Sequence, residues 1–317
     1  MNEEGFVTAF APASIGNVAV GFDMLGLALQ GVGDFVSARR RPAQGVVVSD
    51  VRAPDGEPHP DLSMQPERNT AAIAAAALWR SAGGRGGLEL VVRKGIPLQS
   101  GMGSSAASAV AAVVAANALL EAPLQAQELL QFALEGEKSA SGSLHADNVA
   151  PSLFGGLVFC PTGLLPRCVN VATPRGLNSV LVHPQLRIDT ATARRHLAQS
   201  CTMTQWLTQQ ACLAGFILGC QRDDLELVAR SLRDVVIEPQ RAASVAFFPD
   251  AKGAALQAGA LGCSLSGSGP SMFALCSAAL APQVAAAMEE VCRSSGVECE
   301  SWLSPMDSPG AHLQVEE

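Results

Sequence analysis

The sequence carries little of the positive charge that nucleic-acid-binding proteins need. Only 16% of its 317 residues are charged, and the formal net charge at pH 7 is −8. The run Arg39-Arg40-Arg41 is too short to make a basic surface and is typical of a solvated strand end. The low charge therefore argues against a nucleic-acid partner. It does not argue against a nucleotide, because a local anion site and a metal ion matter more there than net charge.

The sequence also lacks cysteine and histidine in the spacing of metal ligands. Its nine cysteines include no CxxC pair, and its five histidines form no HExxH motif. A structural zinc site is therefore not expected. An odd number of scattered cysteines favours buried, reduced thiols and a cytoplasmic location.

Long apolar runs and a targeting signal are absent as well. The start, Met1-Asn-Glu-Glu-Gly, is acidic and unlike a signal peptide. The apolar segment after Ser105 is interrupted by Ser108 and Asn117, and residues 213–220 are too few to span a bilayer. We therefore expect no membrane partner. With 48% hydrophobic residues, the chain is long enough for one large or two medium domains with a sizeable core.

The most informative segment is the glycine- and serine-rich stretch at 95–107, which leads into an Ala/Val-rich segment. This pattern predicts a loop that runs into the first turn of a helix. The first N–H groups of a helix lack internal partners, the helix dipole is positive there, and glycines let an anion approach the backbone. Ser104 stands where a Walker A motif has Lys, and the glycine spacing is not that of a Rossmann fingerprint. The loop predicts a phosphate site, although an ordinary turn before a buried helix would give a similar sequence pattern.

Strand-like and helix-like segments alternate along both halves of the chain, which predicts an α+β protein built in two layers. We expect a loop at residues 12–21, a helix that Asn69 caps, and a second Gly/Ser loop at residues 262–271. The composition changes near residues 161–166, so we place domains at 1–163 and 164–317. Residues from 305 onward are expected to form a loose tail.

Three segments together resemble the GHMP kinase superfamily. They are Pro12-Ala-Ser-Ile-Gly-Asn17, Pro97-Leu-Gln-Ser-Gly-Met-Gly-Ser-Ser-Ala106 and Leu265-Ser-Gly-Ser-Gly-Pro270. Each is weak alone, and their order and spacing make the set strong across residues 11–303. The resemblance implies a two-domain fold, with a ribosomal-protein-like N-terminal domain that binds ATP and a ferredoxin-like C-terminal domain.

Within that superfamily the chain looks like the homoserine kinase family. Gly21-Phe-Asp-Met-Leu-Gly26 resembles that family's Gly-Phe-Asp-x-Leu-Gly segment, and residues 141–151 resemble its substrate-site signature. Thr190-Ala-Thr-Ala-Arg194 and Glu238-Pro-Gln-Arg241 resemble its later arginine-bearing segments. The resemblance implies transfer of a phosphoryl group from ATP to the side-chain hydroxyl of L-homoserine, a step of threonine biosynthesis.

The resemblance also implies which residues bind the nucleotide and the metal. The expected ATP-binding residues belong to the glycine loop and the helix cap: Pro97, Leu98, Gln99, Ser100, Gly101, Met102, Gly103, Ser104, Ser105, Ala106, Ala107 and Asn69. Ser105 and Glu137 are expected to bind Mg²⁺, which takes few protein oxygens besides waters and phosphates. On the residues alone, Glu137 is better explained as an exposed helix residue, and Asn69 is better explained as a cap.

Asn148 is expected to be the diagnostic residue of the catalytic centre. The resemblance implies that mevalonate kinases carry at this position an Asp that can act as a base, whereas an amide accepts no proton at neutral pH. No protein base is then expected to deprotonate the substrate hydroxyl, and the γ-phosphate would take the proton. A loose phosphoryl-transfer transition state tolerates this, because it depends mostly on positioning and charge neutralisation. On sequence alone, loop capping explains Asn148 and His145 equally well.

Homoserine is a zwitterion, so its pocket needs cations for the carboxylate and an anion for the ammonium. Arg194 and Arg241 are the expected carboxylate partners, and Asp23 is the expected partner of the ammonium or the hydroxyl. The further substrate-site residues are Asn17, His145, Asn148, Thr190 and Gly267. From the residues alone, Arg194 beside Arg195 could be a solvated helix face. Asp23 is better supported, because a carboxylate in an apolar run needs a partner.

Two alternatives stay open at this point. One is another small-alcohol kinase of the same superfamily, such as one for an isoprenoid precursor, which Asn148 and the two arginines disfavour. The other is a non-catalytic nucleotide-binding protein that keeps both glycine loops. The sequence does not determine the oligomeric state, and a homodimer is one option.

Overall fold

The computed structural model describes residues 5–141 and 144–314. The strands are β1 (Val7–Gly16), β2 (Leu25–Arg41), β3 (Gly45–Arg52), β4 (Gly87–Arg93), β5 (Leu157–Phe159), β6 (Val169–Val171), β7 (Leu177–Pro184), β8 (Gly262–Leu265), β9 (Met272–Ser277), β10 (Cys299–Pro305) and β11 (His312–Leu313). The helices are α1 (Thr70–Ser81), α2 (Ser104–Asn117), α3 (Ala126–Ser141), α4 (Ala146–Phe154), α5 (Thr190–Arg195), α6 (Met203–Arg222), α7 (Leu225–Ser231), α8 (Glu238–Arg241), α9 (Phe248–Gln257) and α10 (Ala281–Ser294).

The larger sheet is built around β2, which is long enough to pair with several strands. β1 and β4 flank it antiparallel, and β5 pairs with its first residues. β3 lies beyond β4 and is parallel to it, and this is the one parallel pair of the sheet among the described residues. β6 pairs with β5, and β11 pairs with β1. Helices α1, α2 and α3 pack on one another, and α2 also packs against β1 and β2. Helix and sheet therefore form two layers around one core.

α2 lies inside this core because its own composition is apolar all round. Eleven of its fourteen residues are buried, and most of them are alanine or valine. Small side chains let the helix approach the sheet and three neighbouring helices closely. The chain enters α2 through Gly103, whose φ is +69°, and a Cβ there would lie 2.3 Å from Ser14 Oγ. Glycine is thus required where the loop turns into the helix.

A buried ion pair holds the first turn of α2 in place. Lys94 is 3% exposed, and its ammonium contacts the carboxylate of Asp34, which is 0% exposed. Lys94 Nζ also donates to Ser108 Oγ at 2.7 Å and to the Ser104 carbonyl at 2.8 Å. The second oxygen of Asp34 accepts the N–H groups of the two residues after Lys94, at 3.0 and 3.2 Å. This network ties β2, the start of the glycine loop and α2 together.

The smaller sheet is antiparallel, in the order β10-β7-β9-β8. Helices α5 to α9 lie between β7 and β8 in the chain, and α10 lies between β9 and β10. α9 and α10 pack on each other and on this sheet. The βαββαβ pattern is that of the expected ferredoxin-like unit, and the mixed helix-and-strand architecture confirms the expected α+β class.

Three local expectations are wrong. The loop expected at residues 12–21 is a strand as far as Gly16, because β1 continues along β2 past an irregularity between Pro12 and Ser14. The loop expected at residues 262–271 begins only after Leu265, because residues 262–265 form β8 and pair with β9. Residues 305–314 are not a loose tail, since Met306 and Ser308 are buried and β11 pairs with β1. The division at residue 163 stays a prediction, and β6 and β11, which lie after it in the chain, belong to the larger sheet.

None of the helices within the described residues combines the length and the apolar character that a membrane span requires.

We predict that Lys94→Met strongly destabilises the protein. The change leaves the Asp34 carboxylate buried without its cation, a loss that costs about 3–5 kcal/mol in buried pairs. Urea denaturation measures the free energy of unfolding. The matched control is Lys138→Met on the exposed side of α3, which should change stability by about 0.5 kcal/mol or less. Similar small losses in both variants would contradict a stabilising role for the buried pair.

Candidate functional site

A cleft of about 510 Å³ opens between the glycine loop before α2 and the second glycine loop after β8. Most residues expected from the sequence line it: Asn17, Asp23, Leu98, Gln99, Ser100, Gly101, Gly103, Ser104, Ser105, Glu137, His145, Asn148, Thr190, Arg194, Arg241 and Gly267. The folded chain therefore brings together segments that are up to 250 positions apart, such as Asn17 and Gly267.

The two glycine loops touch through their backbones. Ser266 Oγ donates to the Gly101 carbonyl at 2.7 Å, and the Ser271 N–H donates to the Ser100 carbonyl at 3.1 Å. Gly101 has a φ of +77°, and a Cβ there would lie 2.5 Å from the Ser266 carbonyl oxygen. Only glycine allows this approach. The second glycine loop therefore closes on the first.

Ser105 and Glu137 meet at the N-terminal mouth of α2. Ser105 Oγ donates to Glu137 Oε2 at 2.5 Å, and Glu137 Oε1 lies 3.3 Å from His145 Nδ1. Glu137 is 4% exposed, so it is not a solvated helix residue. The Ser104 hydroxyl donates to the Ile96 carbonyl at 3.1 Å and so holds the loop. A hydroxyl and a carboxylate beside unpaired helix N–H groups form a donor set that suits Mg²⁺ together with phosphate oxygens.

Among residues 5–141 and 144–314, no group of three or more His, Cys, Asp and Glu side chains is arranged to hold a metal ion. The Ser105–Glu137 pair supplies only two protein oxygens. Mg²⁺ commonly keeps several waters and binds through one or two carboxylates plus substrate phosphates. The donor set therefore fits an ion that arrives with a nucleotide.

The floor of the cleft carries two titratable groups with shifted pKa values. Burial alone would lower the pKa of His145, but its hydrogen bond with Glu137 and the negative charges of Asp147 and Glu137 outweigh burial and raise it. Burial, and next the charge of Asp23, raise the pKa of Asp147 to about 6. The cleft thus concentrates negative charge that a cationic substrate group or metal ion would relieve.

Asn148 is fixed at the start of α4 by contacts with the end of β1. Its Oδ1 accepts from Ser14 Oγ at 3.0 Å, and its Nδ2 donates to Asp147 Oδ1 at 3.4 Å. Asp147 Oδ2 accepts the Asn17 N–H at 3.2 Å, and a Cβ at Gly16 would lie 2.9 Å from the same oxygen. Sequence reasoning missed Asp147. The available signal was its place between His145 and Asn148, within the segment that resembles the substrate-site signature.

Asp23 and Arg194 bind each other. Arg194 Nη1 donates to Asp23 Oδ1 at 3.1 Å, and Arg194 Nη2 contacts Asp23 Oδ2. Arg241 is 6% exposed, and its Nη1 donates to the Gly267 carbonyl at 2.6 Å. The two guanidinium carbons lie 5.4 and 5.2 Å from the centre of the Phe22 ring. Asp23 therefore has the partner that its apolar surroundings demand, and Arg194 is not merely a solvated helix residue.

Asn17 and Thr190 complete the substrate side of the cleft. Asn17 Nδ2 donates to the Gly267 carbonyl at 3.1 Å, and Asn17 Oδ1 accepts the Asp23 N–H at 3.1 Å. Asn17 has a φ of +68°, a conformation that asparagine tolerates better than most residues. The Thr190 hydroxyl lies 3.4 Å from the hydroxyl of Ser268, a lining residue that sequence reasoning did not select.

Some expected nucleotide-site residues do not line the cleft: Pro97, Met102, Ala106, Ala107 and Asn69. Met102 and the two alanines are buried in the core, so only their backbones can contribute to the site. Asn69 Oδ1 accepts the Ala72 N–H at 3.3 Å, which is the helix cap that the sequence favours. Gly142 and Ser143 of the expected signature lie outside the described residues.

Arg187 and Asp61 also line the cleft, and no motif had singled them out. They form an ion pair at 3.0 Å between segments that are far apart in the chain. Both side chains are largely exposed, so neither shows the buried-charge pattern that sequence reasoning can use.

Comparison with known proteins agrees with this geometry. The family model described as GHMP kinases N terminal domain matches residues 69–156, and the model described as GHMP kinases C terminal matches residues 216–294. The homoserine kinase of Xylella fastidiosa (strain M12) is 47% identical over 306 residues, which cover 96% of this chain and 93% of that protein. The homoserine kinase of Chloroherpeton thalassium is 41% identical over 324 residues, covering 97% and 99%.

A solved structure is also closely similar. The crystal structure of homoserine kinase from Cytophaga hutchinsonii superposes with a TM-score of 0.93 at 37% sequence identity, and the match covers 99% of each chain. The similarity therefore extends through both sheets and the cleft between the glycine loops.

We predict that Asp147→Asn gains stability relative to the parent chain as the pH rises from acidic to neutral. The pKa of Asp147 is raised from 3.8 to about 6 on folding, so the folded state binds more protons between these values. The free energy of unfolding of the parent therefore falls as pH rises through this window, whereas the variant lacks the titration. The free energy of unfolding of the parent minus that of the variant should fall by about 3 kcal/mol from about pH 3.5 to about pH 7.5. Urea denaturation across that range measures it, and a pH-independent difference would contradict the raised pKa.

Proposed function

The chain belongs to the homoserine kinase family of the GHMP kinases, and we propose that it transfers the γ-phosphoryl group of ATP to the side-chain hydroxyl of L-homoserine. The product is O-phospho-L-homoserine, an intermediate of threonine biosynthesis. The observation that carries the proposal is the cleft itself. The mouth of α2 with Ser105 and Glu137 shares this cleft with Arg194, Arg241, Asp23 and Asp147.

We assign the phosphates of ATP to the backbone at residues 101–106. The N–H groups of the first turn of α2 have no partners within the helix, and its dipole adds positive charge there. Gly101 and Gly103 have positive φ and carry no side chain that would keep an anion from the backbone. The buried Lys94–Asp34 pair keeps this turn in position.

Ser105 and Glu137 are the residues that we propose to hold Mg²⁺. When bound, the ion would neutralise charge on the phosphate oxygens during transfer. The hydrogen bond of His145 to Glu137 fixes one carboxylate oxygen, so the other faces Ser105. This orientation of the carboxylate is prepared before any ligand binds.

The charged groups opposite the α2 mouth match a zwitterion. We propose that Arg194 and Arg241 bind the carboxylate of homoserine and that Asp23 binds its ammonium. In the structure Asp23 and Arg194 neutralise each other. An amino acid placed between them would offer a carboxylate to the arginine and an ammonium to the aspartate, so both charges keep a partner. Asp147 adds negative charge near the ammonium position.

We propose that no protein group removes the proton of the substrate hydroxyl. Asn148 is an amide and accepts no proton at neutral pH. The oxygens of Asp147 accept from the Asn17 N–H and from Asn148 Nδ2, and we assign this carboxylate the role of positioning those two residues. We assign the hydroxyl proton to an oxygen of the phosphoryl group being transferred. Asn148 and His145 orient the hydroxyl, which is the main requirement of a loose transition state.

We also propose a cytoplasmic location. All nine cysteines lie in the described part of the chain and carry free thiols. Reduced thiols are typical of proteins in the cytosol.

ADP release, measured with a panel of alcohols, tests the substrate assignment. L-Homoserine should be phosphorylated, whereas homoserine methyl ester and N-acetylhomoserine should lose about 100-fold or more in kcat/KM, because each leaves a charged side chain unpaired. Mevalonate should give no measurable turnover. Turnover of mevalonate but not of homoserine would identify an isoprenoid-precursor kinase. ATP binding without turnover of any alcohol would identify a non-catalytic protein.

We predict that Glu137→Gln lowers kcat/KM by about 100-fold or more, and that Ser105→Ala adds little further loss if both side chains serve one ion. The reason is that the amide removes the negative charge that the metal requires. The matched control is Glu135→Gln on the same helix, because Glu135 is exposed and does not line the cleft. Unchanged turnover in both Glu137 and Ser105 variants would overturn the metal assignment.

A further inference from the structure

Two cysteines stand at the loop end of the β5–β6 hairpin, at the positions that would continue its register. β5 and β6 are antiparallel, with Leu157 opposite Val171 and Phe159 opposite Val169. The next opposed pair in this register is Cys160 and Cys168. We propose that these two residues form a modification site, at which a peroxide or a small-molecule disulfide converts the thiols into an intramolecular disulfide.

The backbone geometry of the pair suits a disulfide. The Cys160 N–H donates to the Met24 carbonyl at 2.8 Å, so the hydrogen-bonding groups of Cys160 point towards β2 and away from β6. Cys160 and Cys168 are therefore a non-hydrogen-bonded pair, in which opposed Cα atoms lie about 4.5 Å apart and the side chains share one face. Disulfides span Cα separations of about 4.4–6.8 Å. If the register continues to this pair, its Cα spacing falls within the range that a disulfide spans.

The two thiols differ in exposure and in reactivity. Cys160 is buried and Cys168 is half-buried at the edge of the hairpin. A hydrogen bond from the Cys160 thiol lowers the pKa of Cys168 and outweighs the opposing effect of burial. Thiolate character and access to solvent mark the attacking cysteine of a redox pair. Cys168 is thus the residue that meets the oxidant, and Cys160 is the residue that resolves the intermediate.

The reaction balances as a two-electron oxidation. The Cys168 thiolate attacks one oxygen of hydrogen peroxide, the O–O bond breaks, and the departing hydroxide takes up a proton to become water. Cys160 sulfur then attacks the sulfur of the sulfenic acid, the S–O bond breaks, and the Cys160 proton leaves with the hydroxide as a second water. With a small-molecule disulfide, thiolate exchange gives a mixed disulfide, and Cys160 displaces the small thiol.

The site lies beside the substrate end of the cleft. Met24, which accepts the Cys160 N–H, directly follows Asp23 in the chain. Cys160 Sγ also lies 3.7 Å from the same Met24 carbonyl. The bridge would therefore fasten the hairpin that supports the Asp23 turn.

A second pair of neighbouring cysteines provides an internal comparison. Cys292 and Cys299 also interact through their side chains. Cys292 lies in the last turn of α10, and the strand partner of Cys299 is Pro184, so no opposed register brings their Cβ atoms together. We therefore expect Cys160 and Cys168 to be bridged first.

Peptide mapping tests the proposal on the full-length protein. The reduced protein is treated with a few equivalents of hydrogen peroxide, its remaining thiols are blocked with N-ethylmaleimide, and it is digested with trypsin. Cleavage after Lys138, Arg167 and Arg175 gives peptides 139–167 and 168–175, which contain Cys160 and Cys168 as their only cysteines. We expect these two peptides joined, with the loss of two hydrogens, and separated again by dithiothreitol.

Two variants make the result specific. Cys168→Ser should abolish the joined peptide, whereas Cys201→Ser, which removes an exposed cysteine elsewhere, should leave its yield unchanged. Thermal melting and ATP turnover confirm that both variants are folded. The proposal is overturned if peroxide oxidises Cys201 while Cys160 and Cys168 both remain alkylated. It is equally overturned if the first bridge joins Cys292 to Cys299. Peptide 253–293 also contains Cys263 and Cys276, so fragmentation of its joined form with peptide 294–317 must place the bridge on Cys292.

Discussion

The buried ion pair between Lys94 and Asp34 is the constraint on which the rest of the site depends. It joins the central strand β2 to the glycine loop and to the first turn of α2, where Lys94 binds both a carbonyl and the Ser108 hydroxyl. A helix terminus binds an anion only if its free N–H groups point at one place. Here the charges that fix their direction are buried behind the helix, so the N–H groups at its mouth remain available for a ligand.

The charged side chains that line the cleft are likewise paired with one another. Asp23 is paired with Arg194, and Glu137 is held between Ser105 and His145. These pairs keep a strongly charged pocket stable without substrate, and each resembles a contact that substrate or metal would make. Binding then exchanges one ionic partner for another, which avoids leaving a desolvated charge alone. The second glycine loop closes this arrangement from the smaller sheet, through backbone contacts that tolerate no Cβ.

Local signals in the sequence were sufficient to predict those parts of the site that are contiguous in the chain. The loop before α2 and the helix itself follow from glycine spacing and composition, and the Ser105–Glu137 contact follows from the family resemblance. Long-range pairing could not be predicted. That Asp23 would bind Arg194 depends on how two sheets meet, and the role of Asp147 depends on the docking of α4 against β1. Strand β1 runs further than expected because pairing with β2 overrides the loop-like composition of its second half.

The nucleotide position can be determined in a crystal structure of the complex with a non-hydrolysable ATP analogue, Mg²⁺ and L-homoserine. We expect the phosphates on the N–H groups of residues 101–106, the metal on Ser105 and Glu137, and the homoserine hydroxyl beside Asn148. We also expect contacts to the amino acid in place of the Asp23–Arg194 contact. Phosphates bound elsewhere, with the mouth of α2 filled by protein side chains, would show that the helix terminus is not the phosphate site.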